Sequence, residues 1–162
     1  FLTNLSKKAI DLRLTDKVII GDIASVRGGY RSPHVSHQNG LDVDVGYIAP
    51  PGTSRSLETF PNNYIVNDRL SSEFDVVKNW QLISMAIKSG WTYMVIVHPA
   101  VKKAFCSFTK KTGIFEESEE ILSQLIPDRT HYNHYHIRLK CPSTSPRCIP
   151  GPIRPSSSGC SI

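Results

Sequence analysis

The 162-residue chain lacks several features that would assign it to a familiar class. No apolar run approaches the roughly 18–20 residues that cross a bilayer, which argues against a membrane-spanning helix. The first residue is Phe1, and the opening segment contains charges instead of the apolar core of a signal peptide, so we expect a mature form or an excised domain. No Cys-x-x-Cys pair occurs, which disfavours a zinc ribbon or a thioredoxin-like site. There is also no internal repeat.

The composition is that of an ordinary globular protein, with 40% hydrophobic and 20% charged residues. A chain of this length is most simply one domain with a substantial core. We therefore predict a single domain over residues 1–162, in which 1–16 is an N-terminal segment and 142–162 a Pro/Ser-rich tail. The net charge of +5 favours an anionic partner such as nucleic acid, lipid or bacterial wall polymer. Because the basic residues are scattered and no nucleic-acid-binding module accompanies them, a solubilising surface is the alternative interpretation.

The four cysteines allow three complete pairings. Cys141 and Cys148 bracket a turn-forming Pro-Ser-Thr-Ser-Pro-Arg segment whose ends can meet easily. Cys160 lies in the Pro/Ser-rich tail and needs a partner to hold that tail in place, which leaves Cys106. We predict the disulfides Cys141–Cys148 and Cys106–Cys160, and with them an oxidising compartment. Four reduced, buried cysteines in a cytosolic protein are the alternative.

Hydrophobic periodicity and turn residues predict an α+β fold: a small central antiparallel β-sheet flanked by helices and long loops. Ser72, with Asp75 three residues later, is typical of a helix start, and Gly90 of a helix end. Phe74, Val77, Trp80, Ile83, Ser84 and Ile87 form the apolar stripe between them. We expect strands at 17–23, 41–48, 91–97 and 135–141, helices at 72–90, 100–108 and 116–125, a helical or irregular segment at 5–14, and a long surface loop from about 50 to 68.

A candidate metal site lies at residues 36–44. His37 and Asp44 are separated by Gly40, where the chain can bend, and the alternating Leu-Asp-Val-Asp-Val run at 41–45 predicts a strand with Asp42 and Asp44 on one face. One imidazole and one carboxylate are an incomplete site, because catalytic zinc usually takes three protein ligands and water. The remaining ligand is expected among the second group of histidines, which consists of His131, His134 and His136. His134 and His136 are two residues apart on a predicted strand and so share a face.

Two motifs carry a family resemblance. His37-x-x-Gly40-x-Asp42-x-Asp44 together with His134-x-His136 resembles the zinc peptidase group of lysostaphin-type enzymes, D-Ala-D-Ala peptidases and hedgehog domains. The match is closer to the penicillin-insensitive murein endopeptidases and runs from about residue 17 to Cys160. The segments that carry it are Gly21-Asp22, 34–44, Asn79-Trp80, Pro99-Ala-Val-Lys102 before Cys106, and 131–142.

The resemblance implies one zinc ion per chain held by His37, Asp44 and His136, with His134 as the catalytic histidine. It places His34 and His131 beside the site and implies the same two disulfides. Asp42 shares the face of Asp44 and is expected to be either a hydrogen-bond partner of a ligand imidazole or a solvated carboxylate. His98, which precedes Pro99, is expected to be structural.

The mechanism expected for such a site is hydrolysis by a zinc-activated water. No His-Glu-x-x-His helix is present to supply a glutamate base, so His134 is the expected proton acceptor. His131 or His34 would stabilise the oxyanion or orient the water, and the sequence does not separate these roles.

The resemblance implies a zinc metallopeptidase that cleaves peptide cross-links between peptidoglycan stem peptides, at the D-alanyl–meso-diaminopimelate bond. We expect a periplasmic or secreted monomer without a nucleic-acid partner. It would act either on its own cell's wall or as an antibacterial effector domain with a delivery or immunity protein. A carboxypeptidase or amidase on the same fold and a non-catalytic zinc-containing binding domain are the alternatives.

Overall fold

The computed structural model describes residues 1–30, 32, 34–48, 64–149 and 159–160. Residues 49–63, which hold most of the expected surface loop, lie outside the described residues. The described helices are α1 (Leu2–Asp11), α2 (Val76–Lys88), α3 (Pro99–Lys111) and α4 (Phe115–Ser123). The described strands are β1 (Asp42–Gly46), β2 (Ile65–Val66), β3 (Arg69–Leu70), β4 (Thr92–Val97), β5 (Leu125–Pro127) and β6 (His134–Leu139).

Four strands form a central sheet in the order β1-β6-β4-β5, and β2 and β3 form a separate hairpin. The α+β fold is therefore as predicted. The pairs β1–β6 and β6–β4 are antiparallel, whereas β4–β5 is parallel. The sequence does not predict β5, because its three residues follow α4 almost directly and continue the helix expected at 116–125. Helices α3 and α4 form the connection between the two parallel strands, as parallel pairing requires.

The sheet separates the hydrophobic core from the polar residues. Val43, Val45 and Ile137 point to the face covered by helices, where they join Trp80 and Phe105 in one buried cluster. Burying side chains of this size contributes about 1.5–3 kcal/mol each. Because side chains alternate along a strand, the other face of β1 and β6 carries the aspartates and histidines.

The segment at 17–23 does not form a regular strand. Only Ile20 makes a bridge, with Val45. The segment nevertheless runs beside β1, since Gly21 N–H donates to Asp44 O at 2.8 Å and Asp44 N–H to Asp22 O at 3.0 Å. The outer edge of β1 is thereby hydrogen-bonded without a full strand.

Helix α2 begins four residues later than predicted. Asp75, not Ser72, is the N-cap residue, and its carboxylate accepts from Lys78 N–H at 2.9 Å. Val77 is 46% exposed and does not belong to the buried stripe. Gly90 follows the helix with a φ of +79°, the left-handed conformation expected at a helix end.

Helix α3 starts immediately after β4 because His98 caps it: its Nδ1 accepts from Ala100 N–H at 3.1 Å. The structural role expected of His98 is thus visible. Both predicted disulfides, Cys106–Cys160 and Cys141–Cys148, are present. None of the helices in the described part of the chain has the length and apolar character needed to cross a membrane.

Candidate metal centre and active site

Three side-chain atoms form a small, nearly equilateral triangle on the polar face of the sheet. His37 Nε2 lies 3.1 Å from His136 Nδ1 and 3.2 Å from Asp44 Oδ1, and the last two atoms are 3.1 Å apart. Ligand atoms about 2.0–2.1 Å from a tetrahedral zinc ion are roughly 3.4 Å from one another. The triangle therefore has nearly the size that a single zinc ion requires, and the residues present fit the expected metal.

The fold brings these atoms together from three segments. Asp44 on β1 lies directly opposite His136 on β6 in the antiparallel register. His37 lies in the loop before β1. This loop passes close to an earlier turn of the chain at Gly28. A Cβ atom on Gly28 would lie 2.8 Å from Gln38 O, and its φ is +69°, so only glycine fits there. Gly40, with a φ of +77°, supplies the expected bend before β1.

Each histidine of the triangle has a hydrogen-bond acceptor beside its other ring nitrogen. His37 Nδ1 lies 3.0 Å from Ile23 O, and His136 Nε2 lies 2.9 Å from Asp42 Oδ1. With those nitrogens donating, the lone pairs of His37 Nε2 and His136 Nδ1 are directed into the triangle. Asp42 in turn accepts from Arg138 Nη1 at 3.0 and 2.9 Å. Asp42 is thus a buried partner of His136, not a solvated carboxylate.

His34 lies at the border of this group. Its ligand atoms come within 4.8 Å of those of His37 and Asp44, so these three residues form an alternative candidate set for a cation. However, His34 Nδ1 is 4.0 Å from Asp44 Oδ2, and His34 Nε2 pairs with Asp22 Oδ2 at 2.9 Å. The tighter triangle with His136 is the other candidate set, and its distances are closer to those expected around one zinc ion.

The other two histidines of the second group, His131 and His134, lie beside the triangle. His134 Nε2 lies 3.7 Å from Asp44 Oδ1, and its Nδ1 lies 2.7 Å from Asn133 Oδ1. The His131 ring is centred 5.0 Å from the His134 ring and 6.1 Å from the His136 ring. All seven site residues selected from the sequence therefore converge on one region.

Burial and charge set the protonation of this centre. Burial alone would raise the pKa of Asp44, but hydrogen bonds to His136 and His37 hold it well below the ordinary value. Burial lowers the pKa of His134 to about 4, so its ring is neutral near pH 7. Burial also opposes charge on His136, but hydrogen bonds to Asp42 and Asp44 raise its pKa overall. A cation in the triangle would compete with a proton for His136 Nδ1.

The sequence did not predict several residues that support the site. The buried Tyr47 hydroxyl donates to His131 O at 3.2 Å and accepts from His98 N–H at 3.4 Å. Asp128 and Asn133 orient His131 and His134. A Pro-Asp-Arg-Thr turn before a histidine cluster is the available signal for Asp128, since aspartate in turns binds nearby donors.

The fold and the site together define a class: a small α+β protein with a candidate hydrolytic metal centre on one face of its sheet. The family model described as penicillin-insensitive murein endopeptidase matches residues 1–162. The chain therefore belongs to that family, as the sequence motifs indicated.

Individual relatives agree with this assignment. The chain is 31% identical over 169 residues to a penicillin-insensitive murein endopeptidase of Yersinia pestis biovar Antiqua, covering 99% of this chain and 58% of that protein. It is 30% identical over 172 residues to the protein of that name in Salmonella paratyphi C, with the same coverage. The chain thus spans about 58% of the length of these curated relatives.

Proposed function

We propose that this chain is a zinc-dependent murein endopeptidase that hydrolyses peptide cross-links in peptidoglycan, at the D-alanyl–meso-diaminopimelate bond. The observation that carries the proposal is the buried triangle of His37 Nε2, Asp44 Oδ1 and His136 Nδ1, with sides of 3.1–3.2 Å and His134 beside it. Two nitrogens and one oxygen around a fourth, open position are the ligand set of a catalytic rather than a structural zinc site.

When bound, zinc supplies a Lewis acid that polarises a carbonyl oxygen and lowers the pKa of water to roughly 7. The chain's own residues provide the proton transfers. His134 accepts a proton from the attacking water at Nε2 and delivers it to the departing amine nitrogen as the C–N bond breaks. Asn133 holds the opposite ring nitrogen at 2.7 Å, which keeps the acceptor nitrogen directed toward the site.

The charge and the disulfides support a wall substrate. A net charge of +5 favours binding to the anionic sacculus, and two disulfides favour the periplasm or secretion. We propose that residues 1–162 act as one peptidase domain, as a monomer with one zinc ion, on peptidoglycan stem peptides.

Digestion of purified sacculi tests the activity. Zinc-loaded wild type should convert cross-linked muropeptides into uncross-linked ones, and His134→Ala should be about 100- to 10,000-fold slower because it lacks the proton acceptor. Mass spectrometry of the products identifies the bond. Release of D-alanine without loss of cross-links would indicate a carboxypeptidase, and release of stems from the glycan an amidase. Unchanged muropeptides would contradict the enzyme assignment and favour a binding domain.

Metal analysis tests the ligand set. His37→Ala and His136→Ala should lose zinc, whereas His34→Ala should keep it, because His34 Nδ1 stands 4.0 Å from the nearest Asp44 oxygen. Loss of zinc from His34→Ala together with retention in His136→Ala would instead support the set of His34, His37 and Asp44. Full retention in both His37→Ala and His136→Ala would contradict the site.

A further inference from the structure

Asp128 contacts His131 from the loop between β5 and β6. Its Oδ1 lies 3.2 Å from His131 Nδ1. We propose that Asp128 is a positioning residue, which holds the proton of His131 on Nδ1 and turns Nε2 toward the reacting peptide. This role rests on the proposed function, because it assigns a task to a histidine beside the candidate metal centre.

The carboxylate of Asp128 is itself held in one orientation. The backbone N–H of Asp128 donates to Val97 O at 2.9 Å, at the end of the central strand β4. Its Oδ1 accepts from the backbone N–H of Thr130 at 2.8 Å, which closes a local turn, and also contacts the Thr130 hydroxyl. The backbone N–H of His131 donates to Asp128 O at 3.3 Å. The Asp128 carboxylate therefore contacts the His131 ring from a fixed position.

The main chain of His131 has an independent anchor. The buried Tyr47 hydroxyl donates to His131 O at 3.2 Å, and it accepts from His98 N–H. This anchor does not involve the Asp128 side chain. Removing the carboxylate should therefore release the imidazole ring while leaving the loop near its place.

The partners of the two catalytic histidines differ in charge. His134 Nδ1 lies 2.7 Å from the neutral amide oxygen of Asn133. His131 Nδ1 lies 3.2 Å from the Asp128 carboxylate and 3.1 Å from the Thr130 hydroxyl, which itself contacts that carboxylate. In catalytic triads, a carboxylate on Nδ1 keeps the imidazole in the correct tautomer and stabilises positive charge on the ring. With its proton on Nδ1, His131 presents the lone pair of Nε2 to the site, so it is suited to orient the attacking water by accepting a hydrogen bond, whereas stabilising an oxyanion would require a proton on that nitrogen. His134 remains the histidine suited to act as base.

Kinetics of single variants test the positioning role. Asp128→Ala should lower kcat about 10- to 100-fold with KM changed less than about twofold, as for other residues that orient a functional histidine. Asp128→Asn should fall between wild type and Asp128→Ala, because its amide oxygen can still accept from Thr130 and His131. Asp11→Ala, at the exposed end of α1, is the matched control and should match wild type. An unchanged kcat in Asp128→Ala would overturn the proposal.

A double-mutant cycle separates positioning from a general structural effect. In the His131→Ala background, Asp128→Ala should cause no further loss of kcat, because its only catalytic partner is gone. Equal losses in both backgrounds would overturn the proposal. Unfolding midpoints of all variants check the fold, and Asp128→Asn carries the test if Asp128→Ala does not fold.

A spectroscopic readout keeps the inference separate from the enzymatic proposal. Long-range ¹H–¹⁵N correlation spectra should show His131 as the Nδ1–H tautomer in wild type and a shift toward Nε2–H in Asp128→Ala. The same tautomer in both proteins would overturn the positioning role. Inactive wild type with the expected tautomer change would reject the proposed function while leaving Asp128 as the residue that orients His131.

Discussion

Asp42 and Asp44 stand two residues apart on one face of β1, and their different partners follow from the strand register. Asp44 lies opposite His136 and Asp42 opposite Arg138. Arg138 Nη1 contacts both Asp42 oxygens, so the guanidinium compensates the charge of that carboxylate. Asp42 Oδ1 also accepts from His136 Nε2. Among the described residues, the Asp44 carboxylate is paired with histidines and with no lysine or arginine, which leaves its Oδ1 available for a metal ion.

The activity should persist to lower pH than that of an enzyme with an ordinary histidine base. The base must be neutral, so protonation of His134 abolishes activity as pH falls. Because burial lowers the pKa of His134 to about 4 from its usual 6.5, that loss should begin well below pH 6. The pH profile of kcat/KM at saturating zinc measures it, with bound zinc quantified at each pH. An acid limb near 6.5 that is present in wild type and absent from the residual activity of His134→Ala, with zinc still bound in both, would contradict this prediction, because a limb from the metal-bound water would remain in both proteins.

At the scale of elements, α2 supports the end of β1 through one buried amide. Asn79 Oδ1 accepts from Ile48 N–H at 2.8 Å, and its Nδ2 donates to Ile48 O at 3.1 Å. The amide thus satisfies both backbone groups of a buried residue just beyond the strand, where no neighbouring strand does so among the described residues. This contact fixes β1, and with it Asp44, against the helical layer.

Asn79→Ala should lower the free energy of unfolding by about 2–6 kcal/mol, because two buried backbone groups of Ile48 lose their partner at about 1–3 kcal/mol each. Chemical denaturation measures the change. Gln81→Ala, an exposed position on the same helix, serves as the control and should shift stability by less than about 0.5 kcal/mol. A loss below about 1 kcal/mol in Asn79→Ala would show that water or a local shift replaces the amide.

At the scale of the whole molecule, the sheet has a helical side and a side that carries the candidate metal centre, and two disulfides close loops of very different length. Cys106–Cys160 joins residues 54 apart and ties the tail to α3, whereas Cys141–Cys148 joins residues 7 apart just after β6. A cross-link destabilises the unfolded chain more when it closes a longer loop.

Replacing both Cys106 and Cys160 by alanine should therefore cost more stability than replacing both Cys141 and Cys148. The loop-closure relation predicts about 4 kcal/mol for the 54-residue separation and about 2 kcal/mol for the separation of 7. Thermal and denaturant unfolding of the two double variants measures the difference. The reverse order would show that loop length does not determine the contribution of these bonds.

The sequence alone determined the local features of this protein. Period-two alternation located β1, and the spacing of histidines and aspartates selected the seven site residues. The cysteine positions indicated both disulfides, which the structure confirms. Such features are readable because each depends on residue type and short-range spacing.

The tertiary structure decided whatever depends on partners distant in the chain. The register of β1 with β6 sets Asp44 against His136 and Asp42 against Arg138, and it is defined by pairings more than ninety residues apart. The parallel strand β5 exists because β4 offers it an edge, not because its three residues favour a strand. The 3.1–3.2 Å triangle likewise requires three segments to meet, and no spacing within one segment encodes that distance.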